Sequence, residues 1–426
     1  MADDQTLPQP GTDRRAIPLA SWWALAVLSM INLFGYMDRM ALAILVEPIK
    51  AEFGASDQQM GLLVGLAFTL FYSTLGIPLA RMADRVSRLR LLSACLFVWS
   101  AMTMVSGLAK NFPQLFLARA GVGVGEAGCT PPAHSLIADY FPREKRSLAI
   151  TIFQTGAAIG GAIGMFVVGL LGQQLGWRAS LQIIGAAGIP LAALALFTLR
   201  EPVRPVLASG DKETAWQAIG ALARRPAYVH LVIAYALATI CNAGVTQWYP
   251  AFLMRSFGMT MAEVGGWIGL SSLAGSGLGL LSGGVLATWL APRDSRWELW
   301  IPAIAFALCV PVLATSFLSP SPMLALLAKT LGIYLSALAS GVALAAIQSF
   351  AEPHRRATAV AIFLFFSSML GSGVGAYVIG LISDLLVPYA GIESLRYALL
   401  STCAMAAWSI LHFYLSSRRS LVDRVN

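Results

Sequence analysis

Asp38 and Arg39 stand side by side inside the apolar stretch 31–46, and Arg119 and Glu126 stand inside another, 112–139. Two acids and two bases sum to zero charge. A lone charge at the centre of a bilayer costs at least about 2.5–3.5 kcal/mol on insertion scales, and such residues usually line a water-filled path. Neighbours in sequence do not face each other on a helix, so Asp38 and Arg39 need partners from elsewhere. In a span over 21–46, Asp38 lies about 12 Å from the far end at 1.5 Å per residue. In a span running back from Phe112, Arg119 lies about 10 Å from the same surface. Glu126 is two helical turns further along, on the face of Arg119.

Burial raises the proton affinity of a carboxylate and a neighbouring guanidinium lowers it. A helix movement that exchanges these influences loads and releases a proton. Asp38 and Glu126 are therefore the candidate proton carriers. Arg39 and Arg119 would tune them and hold an anionic head group by paired hydrogen bonds. The competing reading is a structural ion-pair network that locks two helices. Lys329 is the deep basic residue of the second half, either snorkelling or pairing with a substrate anion. Phe363, Phe366 and Met369, with Phe365, offer an apolar wall, or simple packing. His134 reads as a hydrogen-bonding residue rather than a metal ligand.

The elements that hold these residues follow from composition. The chain has 426 residues, 57% hydrophobic and only 12% charged, against about a quarter charged in soluble domains. Mean hydropathy is +0.71. Apolar runs long enough to cross roughly 30 Å of hydrocarbon recur throughout. The fold class is all-α integral membrane, with twelve helices in two six-helix bundles. Spans are expected near 21–46, 59–82, 88–109, 112–139, 146–173 and 179–199, then near 227–256, 263–290, 298–318, 322–350, 356–386 and 392–417. The expected domains are a tail at 1–20, a bundle at 21–199, a linker at 200–226, a bundle at 227–417 and a tail at 418–426. The linker carries an amphipathic helix around 212–224.

The net charge of +8 is topological. Of 29 Lys and Arg, 21 fall on alternate segments beginning with the N-terminal tail. Five lie on the opposite set, namely Lys50, Lys110, Arg178, Arg255 and Arg396, and three lie within apolar runs. This positive-inside bias places both termini in the cytoplasm and removes the case for nucleic-acid binding. The five cysteines are scattered in apolar runs without metal-ligand spacing, so neither a metal nor another cofactor is expected.

The halves also resemble each other. "RSLAITIF" at 146–153 matches "RATAVAIF" at 356–363, and the same offset of 210 carries Arg119 onto Lys329. Such duplication marks carriers whose site lies at the repeat interface. Gly156, Gly160 and Gly164 recur at four-residue spacing, with Gly371, Gly373 and Gly375 in the second half, which brings helices close. "GVGVGEAG" at 121–128 has no preceding strand and is not a phosphate loop.

"GIPLARMADRVSRLR" at 76–90 resembles the loop motif of the major facilitator superfamily, with Asp84, Arg85 and Arg88 in matching places and Ala80 and Ser87 where the motif has glycines. These three charges are a candidate conformational latch, or an ordinary positive-inside loop. "INLFGYMDR", "ARAGVGVGEAG", "SLIADYFP", "WRASLQIIGAAGI" and "REP" resemble the Spinster family, closely in the first half and in layout in the second. The resemblance implies rocker-switch alternating access and a proton-linked role for the acid at Asp38, with roles at Arg39, Arg119 and Glu126. It implies sphingosine-1-phosphate-like or lysophospholipid substrates, and a prokaryotic relative in the cell (inner or plasma) membrane.

The expected partners are the bilayer, protons and a small amphiphilic or anionic substrate, handled by a monomer. The expected activity is proton-coupled carriage of an amphiphilic lipid. The alternatives are an organic-anion or drug carrier using the same charges, and, outside carriers, a receptor or a membrane enzyme. An enzyme would need a clustered nucleophile and base or metal ligands, and the four histidines are scattered.

Overall fold

The computed structural model describes residues 17–83, 85–202, 215–352 and 354–423. Every regular element among them is helical. The first half holds α1 (Leu19–Phe53), α2 (Asp57–Gly61), α3 (Ala67–Ala83), α4 (Arg88–Ser106), α5 (Phe112–Ala127), α6 (Thr130–Tyr140) and α7 (Arg143–Thr198). The linker helix is α8 (Ala215–Ala223). The second half holds α9 (Pro226–Thr239), α10 (Val245–Phe257), α11 (Met261–Leu290), α12 (Trp297–Leu318), α13 (Pro322–Ser349), α14 (Arg356–Ser368), α15 (Ala376–Ala390) and α16 (Ser394–Asp423).

Residues 1–16 of the expected N-terminal tail, 203–214 of the linker and 424–426 lie outside the described residues. The last helix runs to Asp423, past the expected end at 417. The two expected spans at 146–173 and 179–199 form one helical run, bent where Gly176 takes φ 81°. The expected span 112–139 is divided into α5 and α6, because Pro131 and Pro132 can open a helix but not continue one.

Nine segments among the described residues are long and apolar enough to cross a membrane. Three π-helical turns join helices end to end: Leu62–Leu66 between α2 and α3, Ile240–Gly244 between α9 and α10, and Met369–Gly375 between α14 and α15. Such turns interrupt α-helices mostly at functional places, and here they meet one another where the halves touch. A Cβ on Gly65 would come 2.6 Å from the Gly373 carbonyl, and one on Gly61 2.4 Å from the Ala376 carbonyl. Only glycine permits that approach.

The internal duplication extends into the turns. α5 starts at Phe112 and α13 at Pro322, the same offset of 210 that relates Arg119 to Lys329. α1 and α10 both end in Phe-Gly, with Gly54 at φ 60° and Gly258 at φ 65°. Each turn is followed by a capping box, Ser56 with Gln59 and Thr260 with Glu263, which satisfies two orphan N–H groups. The glycine stripe packs α7 on α1: Gly156, Gly160 and Gly164 lie against the backbone of Ser29, Leu33 and Met37. Gly371 and Gly375 lie against Thr239 and Ile240, while Gly373 faces Leu66 and Thr69 of the first half.

Candidate functional site

The quartet pairs crosswise. The Asp38 carboxylate accepts from Arg119 Nη1 at 3.3 Å and from Thr103 Oγ1 of α4 at 3.0 Å. Arg39 Nε donates to Glu126 Oε1 at 2.6 Å. α1 thus meets α5 through two ion pairs of opposite sense, as the 100° between successive side chains requires.

Enclosure differs between the pairs. Asp38 and Arg119 are 1% and 2% exposed. The Arg39 side chain is 19% exposed and lies among three rings, with Tyr36, Tyr72 and Phe68 centroids 4.9, 4.5 and 5.1 Å away. Rings hold a guanidinium by cation–π attraction without quenching its donors. The pairing is incomplete. Glu126 Oε2 and Arg119 Nε are buried and have no hydrogen-bond partner in the protein. Glu126 borders a cavity of about 20 Å³ shared with Asn32, Gly35, Trp99 and Thr130, room for about one water molecule. A Cβ on Gly35 would stand 3.0 Å from Glu126 Oε1, so glycine there gives the carboxylate its place.

In the second half, Lys329 is buried, with Nζ 5.3 Å from the Tyr249 ring centroid. Among the described residues no carboxylate pairs with it. Phe363 is buried and stacks on Tyr235 at 4.5 Å. Phe366 is exposed in a groove between α9 and α14. Met369 opens the π-helical turn that meets the first half.

Of the expected latch, Asp84 lies outside the described residues and Arg85 is exposed. Arg88 is buried. It donates to Glu201 Oε1 at 2.8 Å, to Asp139 Oδ2 at 2.5 Å and to Ser135 Oγ at 2.7 Å. Its partners lie on α6 and at the start of the linker, and none comes from the second half, so Arg88 ties the linker's first residues to the first half. Burial pushes the Glu201 carboxyl up, but hydrogen bonds from Arg88, the Leu89 amide and Ser87 outweigh it and hold the group below its ordinary value.

The ion pairs that do cross between halves were not anticipated, and they gather where α1 ends and α2 begins. Asp57 is fully buried. It accepts from Arg255 Nη1 at 2.7 Å and Nη2 at 2.6 Å, from Lys50 Nζ at 2.5 Å and from Ser383 Oγ at 2.6 Å. Arg255 Nε also reaches Glu47 at 2.9 Å. Asp384 of the second half caps α2 of the first, accepting the Asp57 and Gln58 amides at 2.9 and 2.7 Å. Gln58 Nε2 donates to Tyr377 Oη at 2.6 Å. The sequence did hold a signal. Of the five exceptions to the positive-inside bias, Arg255 pairs across the halves with Asp57, while Lys50, Arg178 and Arg396 pair within their own half, with Asp57, Glu52 and Glu393.

Apolar helices long enough to cross a membrane, with ion pairs buried between them, describe a polytopic membrane protein. The chain belongs to the Major Facilitator Superfamily, whose family model matches residues 28–376. It is 36% identical over 407 residues to an MFS-type efflux pump of Mycolicibacterium smegmatis, covering 94% of each chain. It is 29% identical to human Protein spinster homolog 1, covering 84% of this chain and 72% of the relative. It is 27% identical to a sphingosine-1-phosphate transporter of Danio rerio, covering 88% and 80%. A bacterial homologue of the human lysosomal transporter Spinster, solved in an inward-facing and unoccupied conformation, superposes with a TM-score of 0.88 at 28% identity, covering 96% of this chain and 99% of that one. The protein is a Spinster-like transporter with a small-molecule substrate, a multi-pass protein of the cell membrane and not an enzyme.

Proposed function

We propose that the protein is a proton-coupled secondary transporter of an amphiphilic lipid, of lysophospholipid or sphingoid-phosphate type, working by rocker-switch alternating access. The observation that carries this reading is the quartet's incomplete pairing. A lock would satisfy every atom, whereas Glu126 and Arg119 each keep a buried polar atom free. Asp38 and Glu126 take up and release the proton. Arg39 and Arg119 set their affinities and hold the anionic head group, and Lys329 offers the second half's charge. Phe363, Phe366 and Met369 supply apolar surface to the tail.

The topology supports twelve crossings. Segments Glu144–Thr198 and Thr358–Ser420, 55 and 63 residues long, each exceed one bilayer crossing of about 20 residues. They turn at Gly176 and Gly391, both with positive φ. Counting each twice and adding α5–α6 gives two sets of six, at 21–199 and 227–417, around the linker at 200–226. Both termini then share the cytoplasmic side, by the basic bias. On that orientation the Asp57 cluster closes the outer end, in keeping with an inward-facing state. The latch proposed for Asp84, Arg85 and Arg88 serves the inner end, and the carrier acts as a monomer.

A second reading, an organic-anion or drug exporter with the same charges, is favoured by the similarity to the mycobacterial efflux pump. Proteoliposomes loaded with a panel of lysolipids and drug-like anions, with and without a pH gradient, separate the two. Lysolipid flux is expected to depend on the gradient, and Asp38→Asn is expected to abolish that dependence. Asp38→Asn transport with its pH dependence intact removes the proton role.

A further inference from the structure

The two oxygens of Glu126 meet different surroundings. Oε1 is held by Arg39, with the Asp38–Arg119 pair beyond it. Oε2, in a residue only 4% exposed, has no protein partner and borders the cavity of about 20 Å³. Asn32 of α1, Trp99 of α4, Thr130 of α6 and Phe153 of α7 form the wall there. Thr130 lies in the chain between Glu126 and Tyr140, whose hydroxyl donates to the Arg200 carbonyl where the linker begins. The cavity is therefore on the linker side of Glu126.

Its lining suits one water molecule. Asn32 Nδ2 donates to the Phe153 carbonyl at 2.8 Å, which leaves Oδ1 as an acceptor. Among the described residues neither Asn32 Oδ1 nor the Thr130 hydroxyl has a protein hydrogen-bond partner. With Glu126 Oε2 that makes three polar groups around a space of one water's size, and a buried water makes about three hydrogen bonds. A resident metal cation is disfavoured by the Arg39 guanidinium on the other oxygen. His134 stands one turn beyond Thr130 on the same face of α6. It is partly exposed, its ring centroid is 5.2 Å from that of Phe153, and among the described residues no carboxylate pairs with it.

The other titratable groups around this path are held elsewhere. α1 brings Asp38 and Arg39, α5 brings Arg119, and all three are ion-paired. Tyr72 of α3 lies against Arg39. Cys95 of α4 lies against Gly128, and the Cys129 thiol is turned to the Leu92 and Gly125 carbonyls at 3.8 Å. Asp139, further along α6, is held by Arg88. α7 presents Phe153 and its carbonyl.

We propose that the cavity is a water site forming the linker-side proton entry to Glu126. Asn32 and Thr130 hold the water, and His134 exchanges the proton with solvent. The proposal rests on the proton-linked reading of Glu126 given above. The His134 imidazole takes a proton from solvent and becomes imidazolium. It gives a proton to the water, the water gives one to Glu126 Oε2, and His134 is neutral again. One positive charge has left solvent and one carboxylate has become a neutral carboxyl. Release runs the same steps backwards, and transfer through one bound water lies within ordinary acid–base reach.

The test uses full-length protein in detergent, with infrared detection of carboxyl protonation after a pH jump. Wild type is expected to show a carboxyl band that Glu126→Gln removes. Thr130→Val keeps the side-chain shape and loses the hydroxyl. It is expected to slow the band's appearance about tenfold at an unchanged midpoint, and Thr130→Ser is expected to restore the rate. His134→Gln is expected to slow it likewise, with added imidazole restoring the rate. A wild type without such a band overturns the proton-linked reading of Glu126, and the relay with it. A band that appears at the wild-type rate in both Thr130→Val and His134→Gln overturns the relay and leaves that reading standing. A shifted midpoint at the wild-type rate makes both residues structural and overturns the relay too. Slowing in Thr130→Val alone overturns the place of His134, and slowing in His134→Gln alone overturns that of Thr130. A band that responds to sodium ions at fixed pH puts a cation where the water is placed and overturns the proposal.

Discussion

Asp57 and Glu126 are both buried carboxylates at a helix–helix contact, and they are treated in opposite ways. Asp57 accepts four charged or hydroxyl donors across its two oxygens. Glu126 accepts one, from Arg39, and keeps Oε2 free beside a small cavity. A fully satisfied carboxylate is fixed in one protonation state and one geometry. A half-satisfied one in a dry setting can exchange a proton or a partner at small cost. The first suits a fixed contact between helices of the two halves, and the second suits the proton-linked role proposed for Glu126.

The largest effect that tests this contrast falls on the fixed contact. Arg255→Ala removes a cation that holds two acids. Breaking one partner of a buried ion pair costs about 3–5 kcal/mol. Cysteine-labelling in membranes should show the α1–α2 end opening, and Arg255→Lys should restore closure in part. Unchanged labelling would make the cluster ordinary packing.

A smaller effect is expected at Gly35. Gly35→Ala places a methyl 3.0 Å from Glu126 Oε1 and should push the carboxylate off Arg39. Transport under a pH gradient should fall several-fold while thermal stability changes by about 1–3 kcal/mol, the usual cost of overpacking. Transport at wild-type rate would show that the Arg39–Glu126 contact is not used.

The smallest expected effect lies at the linker end of the first half. Glu201 is held below its ordinary pKa of 4.5, so its contribution is present above that pH and is lost as pH falls through the lower, folded value. Thermal melts of wild type and Glu201→Gln should therefore differ at neutral pH and converge in acid. A gap that persists undiminished in acid would assign the effect to packing rather than to charge.

Much of this was legible in the sequence, and for physical reasons. Hydrophobic length fixed the helices. The rule that successive helical residues cannot face each other predicted that Asp38 and Arg39 would turn to the fourth span, and their partners are Arg119 and Glu126. The offset of 210 carried one helix start onto another. Helix interruptions were not legible, since the π-helical turns and the bend at Gly176 depend on what packs against them. The cross-half cluster was missed because Glu47, Lys50, Asp57 and Arg255 sit at span ends, where charge is unremarkable until a second body covers it. The latch expected at Asp84, Arg85 and Arg88 remains a proposal, and the structure shows Arg88 paired with Asp139 of α6 and with Glu201 at the start of the linker.

The Lys50–Asp57 contact has a consequence for any parting of the halves at that end. The two residues are seven apart in the chain, on either side of the turn at Gly54, and they travel together. When Arg255, Ser383 and Asp384 withdraw with the other body, Asp57 is not stranded as an orphan anion. Under the rocker-switch movement proposed above, it keeps Lys50 as a tethered counter-ion.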